Sequence, residues 1–205
     1  MPQEQLAAMR DTRSKTLRML RDLTQTQYDF RKQPDRWSAG EIADHLVKSN
    51  RMYLGEIQRL IDLKRSGRKP EIRVSLTDMQ FQLPLVPGFL LPLAEVPVGV
   101  FNCLLPSMVR EAFLRSPLIP AQSPPVLRPV GGRGRESLLA DLEKSMEESE
   151  QLFSRNRDLD FGEFRYYHPL FGFNGVDGIL RLMVSHERRH QVQLGAVLKD
   201  LPGGE

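Results

Sequence analysis

The stretch Ser185–Gln191, with the sequence SHERRHQ, places two of the chain's four histidines four residues apart. On an α-helix this spacing puts His186 and His190 on one face, about one turn apart. Two neutral imidazoles held in this way can bind one divalent metal ion from the same side. The alternative is a pair of histidines on an exposed helix surface, because the spacing alone has low specificity.

The residues that flank this motif favour a metal site over an exposed pair of histidines. They predict a helix from Val176 to about Leu198, with apolar residues at helical spacing. These residues are Val176, Ile179, Leu180, Met183, Leu194, Val197 and Leu198. His186 and His190 are in phase with this apolar stripe, whereas Glu187 lies off it. Two imidazoles on a buried face need polar partners, and one metal ion satisfies both.

Length and composition restrict the class of protein. The chain has 205 residues, enough for a hydrophobic core, and we expect one domain over residues 1–205. The net charge of +3 and the pI of about 9.2 are only mildly basic, which argues against a nucleic-acid partner. The single cysteine, Cys103, excludes an internal disulfide and suits a reducing cytosol. The N-terminal residues show no signal-peptide pattern, so we expect a cytoplasmic protein.

Four amphipathic helices are predicted, and no convincing strand. They cover about residues 4–23, 38–63, 135–155 and 175–199. The second has the clearest start, because Ser38 and Glu41 have the spacing of a capping box, and Trp37 and Ile42 have that of a hydrophobic staple. The predicted fold class is therefore all-α, a four-helix bundle.

A long proline-rich insertion, residues 64–134, separates the second and third helices. It begins with a basic patch, and residues 79–109 contain one charged side chain, Glu95. The apolar length approaches a membrane span, but prolines at about five-residue intervals would break a spanning helix. We expect short helical turns packed over one side of the core. The alternatives are a lid, a dimer contact or a surface that enters lipid.

A third metal ligand is available upstream. His45 lies beside Leu46 at the border of the second helix's apolar stripe. A histidine there is more often a hydrogen-bonded core residue, but a separate two-histidine face favours a ligand. The residues from His186 to His190 also match the zinc-protease motif His-Glu-x-x-His. We set that class aside, because no histidine follows His190 and the usual downstream ligand is missing.

Three imidazoles with one open coordination position are typical of a catalytic site, since structural zinc sites have four ligands and usually contain cysteine. The open position can bind a water or a thiolate, and either becomes a nucleophile near neutral pH. The ligands do not distinguish hydrolysis from thiol transfer. Imidazole suits nickel, zinc, manganese and iron, of which we expect zinc or nickel.

Three motifs resemble the signatures of the DinB-like superfamily. Residues 37–46, WSAGEIADHL, resemble its second-helix signature, and residues 168–172 and 186–193, HPLFG and HERRHQVQ, resemble its C-terminal signature. The resemblance covers nearly the whole chain outside the insertion. The order and spacing of the motifs together are fairly specific.

The resemblance implies a bacterial four-helix bundle with His45, His186 and His190 as metal ligands, often a homodimer. For activity it implies either a thiol-dependent S-transferase or isomerase, with a low-molecular-weight thiol as co-substrate, or a metal-dependent hydrolase. The substrate would be a small molecule. Two further classes stay open: a non-catalytic metal- or ligand-binding bundle, and a peripheral membrane protein that binds lipid through residues 79–109.

Other polar residues have more than one interpretation. His168 is a candidate catalytic acid or base, a fourth ligand, or a loop histidine packed on aromatic residues. Glu187, the second catalytic candidate, points about 100° away from His186, so a role outside the ligand shell or in a surface salt bridge is favoured over a general base. Glu41 either caps its helix or orients His45. Gln193 either hydrogen-bonds a substrate or packs at the edge of the core.

Overall fold

The protein is described by a computed structural model, which covers residues 2–75, 124–168 and 172–201. The chain divides into two compact units. The first unit contains residues 56–128 and 159–179, and the second contains residues 2–55, 129–158 and 180–205. Most of the described residues are helical, which confirms the all-α fold class. The single-domain assignment stays a prediction.

The described residues form five α-helices and two three-residue 3-10 helices, Pro125–Leu127 and Phe161–Glu163. The α-helices are α1 (Gln3–Leu20), α2 (Gln25–Asp29), α3 (Ala39–Arg65), α4 (Arg135–Arg155) and α5 (Val176–Lys199). Four of them confirm the predicted helices, with ends that differ by a few residues. The short α2 lies between the first and second predicted helices, where the polar residues 25–36 favour a loop or short turn. It begins with a capping box of its own, formed by Thr24 and Gln27.

The predicted capping box at the start of α3 is confirmed. The Glu41 backbone N–H donates to Ser38 Oγ at 3.2 Å, and the Ser38 backbone N–H donates to Glu41 Oε2 at 2.9 Å. Arg31 also donates to the Glu41 carboxylate. Glu41 is therefore a capping residue, and it lies in the first turn of the helix, about one turn before His45.

The second unit is a four-helix bundle built from α1, the first part of α3, α4 and the last part of α5. Each of these segments buries apolar side chains in one cluster, and α2 adds Tyr28. The cluster includes Leu20, Tyr28, Ile42, Leu46, Leu138, Leu142 and Leu194. Full burial of each aliphatic side chain contributes roughly 1.5–3 kcal/mol relative to exposure. This cluster determines which faces of α3 and α5 point inward.

The first unit contains a small three-stranded sheet that the sequence patterns did not predict. Its strands are β1 (Glu71–Arg73), β2 (Arg165–His168) and β3 (Gly172–Asn174). β1 pairs with β2 in parallel, and β2 pairs with β3 antiparallel. Strands of three or four residues are too short for an alternating apolar pattern to be recognised. The sheet therefore lies in segments that we interpreted as insertion and loop.

Residues 76–123 of the predicted insertion, including Cys103, lie outside the described residues. The packed turns, the lid, the dimer contact and the lipid-facing surface therefore stay predictions. Among the helices that the structure describes, none is long and apolar enough to cross a membrane.

Candidate metal centre

The second unit brings three histidines together, His45 from α3 and His186 and His190 from α5. The Nε2 atom of His186 lies 3.2 Å from that of His45 and 3.2 Å from that of His190. One ligand atom from each residue lies within 4.8 Å of the other two. We call this group the histidine cluster. The prediction that these residues converge is confirmed.

The spacing of the cluster fits a shared metal ion. Zinc–nitrogen bonds are about 2.0–2.1 Å, so two imidazole nitrogens on one tetrahedral zinc lie roughly 3.3 Å apart. The two 3.2 Å separations agree with that value. The three histidines could therefore hold one divalent ion.

The electrostatics of the cluster also suit a metal. His45 and His190 are buried. Burial lowers the pKa of His190 to about 3, with a smaller contribution from the neighbouring His45. Burial of the ring and the nearby His190 and His45 hold the pKa of His186 well below its usual 6.5. The rings of His186 and His190 are therefore neutral at physiological pH, which is the protonation state that binds metals.

Two residues beside the cluster were not identified as part of the site from the sequence. The ring of Trp37 lies 4.8 Å from that of His45 and stacks on that of His190 at 5.9 Å, between ring centroids. Ser49 follows His45 by one helical turn, and its Oγ lies 3.4 Å from His45 Nε2. The four-residue spacing on a predicted helix was the available signal for Ser49, and its hydroxyl shares the ligand's face.

Glu187 lies in a separate buried network. Arg13 donates from Nε to Glu187 Oε1 at 2.8 Å and from Nη2 to Oε2 at 2.9 Å, and Thr16 Oγ1 donates to Oε1 at 2.7 Å. Arg13 Nη1 also donates to Ser145 Oγ and to the carbonyl oxygen of Leu142. We call the ion pair the Arg13–Glu187 clamp. It joins α1, α4 and α5. The predicted salt bridge of Glu187 is present, but it is buried and does not lie at the surface.

The sequence analysis did not identify Arg13 and Gln191 as partners in this network. Gln191 extends the network, because its Nε2 donates to the carbonyl oxygen of Thr12 at 2.8 Å and to Thr16 Oγ1 at 3.0 Å. The sequence pattern placed the arginines of the first helix opposite its apolar stripe, which is wrong for the buried Arg13. The available signal was its spacing, four residues after Met9 and therefore on the same helix face. A charged residue at such a position requires a buried partner.

His168 belongs to the first unit, at the end of β2. It is buried, and burial lowers its pKa to about 3. Its ring centroid lies 6.3 Å from that of Tyr166. The following residues of its motif, 169–171, are outside the described residues. A catalytic role for His168 stays a prediction.

The fold and the site together define a helical-bundle protein with a three-histidine cluster that could hold a metal ion. The family model of the DinB superfamily matches residues 8–194. The match covers most of the chain, so the chain belongs to the DinB superfamily, which confirms the resemblance in its motifs. No curated protein and no solved structure matches the chain.

Proposed function

We propose that the protein is a metal-dependent enzyme that activates a thiol or a water for S-transfer to, or hydrolysis of, a small molecule. The observation that carries the proposal is the convergence of three imidazoles, in which the Nε2 atoms of His45 and His190 each lie 3.2 Å from that of His186. A bound zinc or nickel ion would supply Lewis acidity and lower the pKa of the attacking group. A low-molecular-weight thiol is the proposed co-substrate of the S-transfer reaction.

The surrounding residues have separate parts in this proposal. The three histidines provide neutral donors and leave one coordination position open. Trp37 packs against the rings of His45 and His190 and thereby restricts their orientation. The carboxylate of Glu187 already accepts three hydrogen bonds in the clamp, so we propose that it positions α5 instead of moving a proton.

We propose a small-molecule substrate, a homodimer and a cytoplasmic location, with no nucleic-acid partner. The mildly basic net charge of +3 supports the last point, since nucleic-acid-binding domains concentrate lysine and arginine on one face.

Elemental analysis of the purified protein tests the metal directly. We expect about one equivalent of zinc or nickel in the wild type and none in the His186→Ala/His190→Ala variant. Arg188→Ala is the matched control, because this residue is exposed on the same helix. The metal-loaded wild type would then be screened with small thiols and electrophiles, and with hydrolysable substrates. A wild type without metal, even after reconstitution with zinc or nickel, would contradict the proposal.

A non-catalytic binding protein is the second candidate. The clamp favours it, because the carboxylate next to the histidines along α5 is already engaged in a structural ion pair. In that case a chelator would lower the thermal unfolding midpoint strongly. The screen of thiols and hydrolysable substrates would show no turnover with the metal-loaded protein. Turnover that disappears in the His186→Ala/His190→Ala variant would exclude this candidate.

A further inference from the structure

One candidate ligand has a defined partner on its outer nitrogen. His190 Nδ1 donates a hydrogen bond to Gln193 Oε1 at 2.7 Å. On the other side of the ring, His190 Nε2 lies 3.2 Å from His186 Nε2. An amide carbonyl oxygen only accepts hydrogen bonds, so Nδ1 carries the hydrogen. In a neutral ring Nε2 then has the free lone pair, and this nitrogen faces the other two histidines of the cluster.

We propose that Gln193 is a positioning residue that holds His190 in its metal-binding tautomer and orientation. The two residues are three positions apart on α5, so their side chains are neighbours on the helix surface. Acceptors on the outer nitrogen of a ligating imidazole fix the ring and raise the basicity of the ligating nitrogen. This inference rests on the proposed metal site and adds a residue to it.

The burial of the two partners supports this assignment. His190 is 5% exposed, whereas Gln193 is exposed. A buried ring needs a partner for each nitrogen, and the amide oxygen satisfies Nδ1 while Nε2 stays available. Because Gln193 lies outside the core, its replacement changes the hydrogen bond without opening a cavity. The geometry therefore assigns this amide oxygen to the ligand and not to a substrate.

The test uses two variants of equal side-chain length in the full-length, metal-free protein. Gln193→Met removes the acceptor, and Gln193→Glu keeps one. Gln151→Met is the matched control, because Gln151 is also exposed and accepts a hydrogen bond, from Arg155 on α4. Cobalt(II) alone is titrated into each protein. The fluorescence of Trp37, the chain's single tryptophan, and the visible absorption of cobalt report binding.

We expect Gln193→Met to weaken cobalt affinity by about tenfold or more, as for other losses of an outer-shell partner. Gln193→Glu and Gln151→Met should stay within about threefold of the wild type, because both keep an acceptor for His190. In the metal-free state, Gln193→Glu and Gln151→Met should keep the wild-type thermal unfolding midpoint, whereas Gln193→Met should lower it slightly, because the Nδ1–H of the buried ring loses its acceptor. The wild-type His190 should show the Nδ1-protonated tautomer in nitrogen-15 NMR of the metal-free protein.

The inference and the function on which it rests are overturned by different results. If Gln193→Met binds cobalt as tightly as the wild type does, the inference is overturned but the proposed function is not. An Nε2-protonated His190 in the metal-free wild type has the same consequence. The inference is also overturned if Gln193→Glu loses as much cobalt affinity as Gln193→Met, because only the second variant lacks an acceptor. A wild type that does not bind cobalt, zinc or nickel overturns the proposed function and this inference with it.

Discussion

Helix α5 carries two buried polar sites on adjacent faces, and their difference distinguishes a ligand site from a structural one. In the Arg13–Glu187 clamp, each carboxylate oxygen receives a donor and the guanidinium is neutralised. In the histidine cluster, nitrogens of the same kind face one another at 3.2 Å. Groups that satisfy each other stabilise the packing of helices. Imidazole nitrogens that converge on one point and would all be satisfied by the same cation indicate a binding site.

Breaking the clamp is expected to have the largest effect on stability. Arg13→Met leaves the Glu187 carboxylate buried without its counter-charge, and we expect a loss of about 3–5 kcal/mol in the free energy of unfolding. Urea unfolding of the metal-free protein measures this loss. The Arg13→Met/Glu187→Met variant should recover much of it, because the second change removes the isolated charge. A loss below about 1 kcal/mol in the single variant would show that the ion pair adds little.

Zinc binding to the histidine cluster is expected to have the next largest effect on the free energy of unfolding. Zinc at about 100 times its dissociation constant should stabilise the wild type by about 2.7 kcal/mol, because it binds the folded state selectively. His45→Ala removes one of the three donors, so its increment at the same zinc concentration should be much smaller. Unfolding with and without zinc measures both increments, and excess chelator should restore the metal-free value. Equal increments would contradict a site that contains His45.

Low pH should lower the free energy of unfolding of the metal-free protein through its histidine cluster. The folded-state pKa values of His186 and His190 lie below the usual 6.5, so between these values the unfolded chain binds more protons. This contribution to stability is complete above about pH 6.5 and is lost as the pH falls, by up to about 1.4 kcal/mol per pH unit for each histidine. Urea unfolding at several pH values below 6.5 measures the slope. The His186→Ala/His190→Ala variant should have a shallower slope, and an unchanged one would contradict the assignment.

An exposed ion pair of the same helix α1 provides the smallest expected effect. Arg10 and Glu150 join α1 and α4, with side chains 60% and 38% exposed. Because water and salt screen such a pair, Arg10→Ala should change the free energy of unfolding by less than about 1 kcal/mol. Urea unfolding at low and high salt measures the change. A loss as large as that of Arg13→Met would mean that burial does not explain the difference between the two pairs.

Much of the fold could be predicted because its signals are local. The apolar periodicity of α5 extends over many turns, and the capping box of Ser38 and Glu41 spans a few residues. Signals of this kind depend on neighbouring residues and are therefore readable in one sequence. The small sheet and α2 were missed, because elements of three to five residues hold too few positions for a periodicity.

The sequence by itself determined the four long helices and the pairing of His186 with His190, since a helix brings residues four apart onto one face. Only the tertiary structure decided that His45 joins them from α3 and that Trp37 covers two of the rings. The partner of Glu187, Arg13, is 174 residues away in the chain, a distance over which no local pattern operates. Such contacts depend on which helix faces pack together, and that is determined by burial of the whole core.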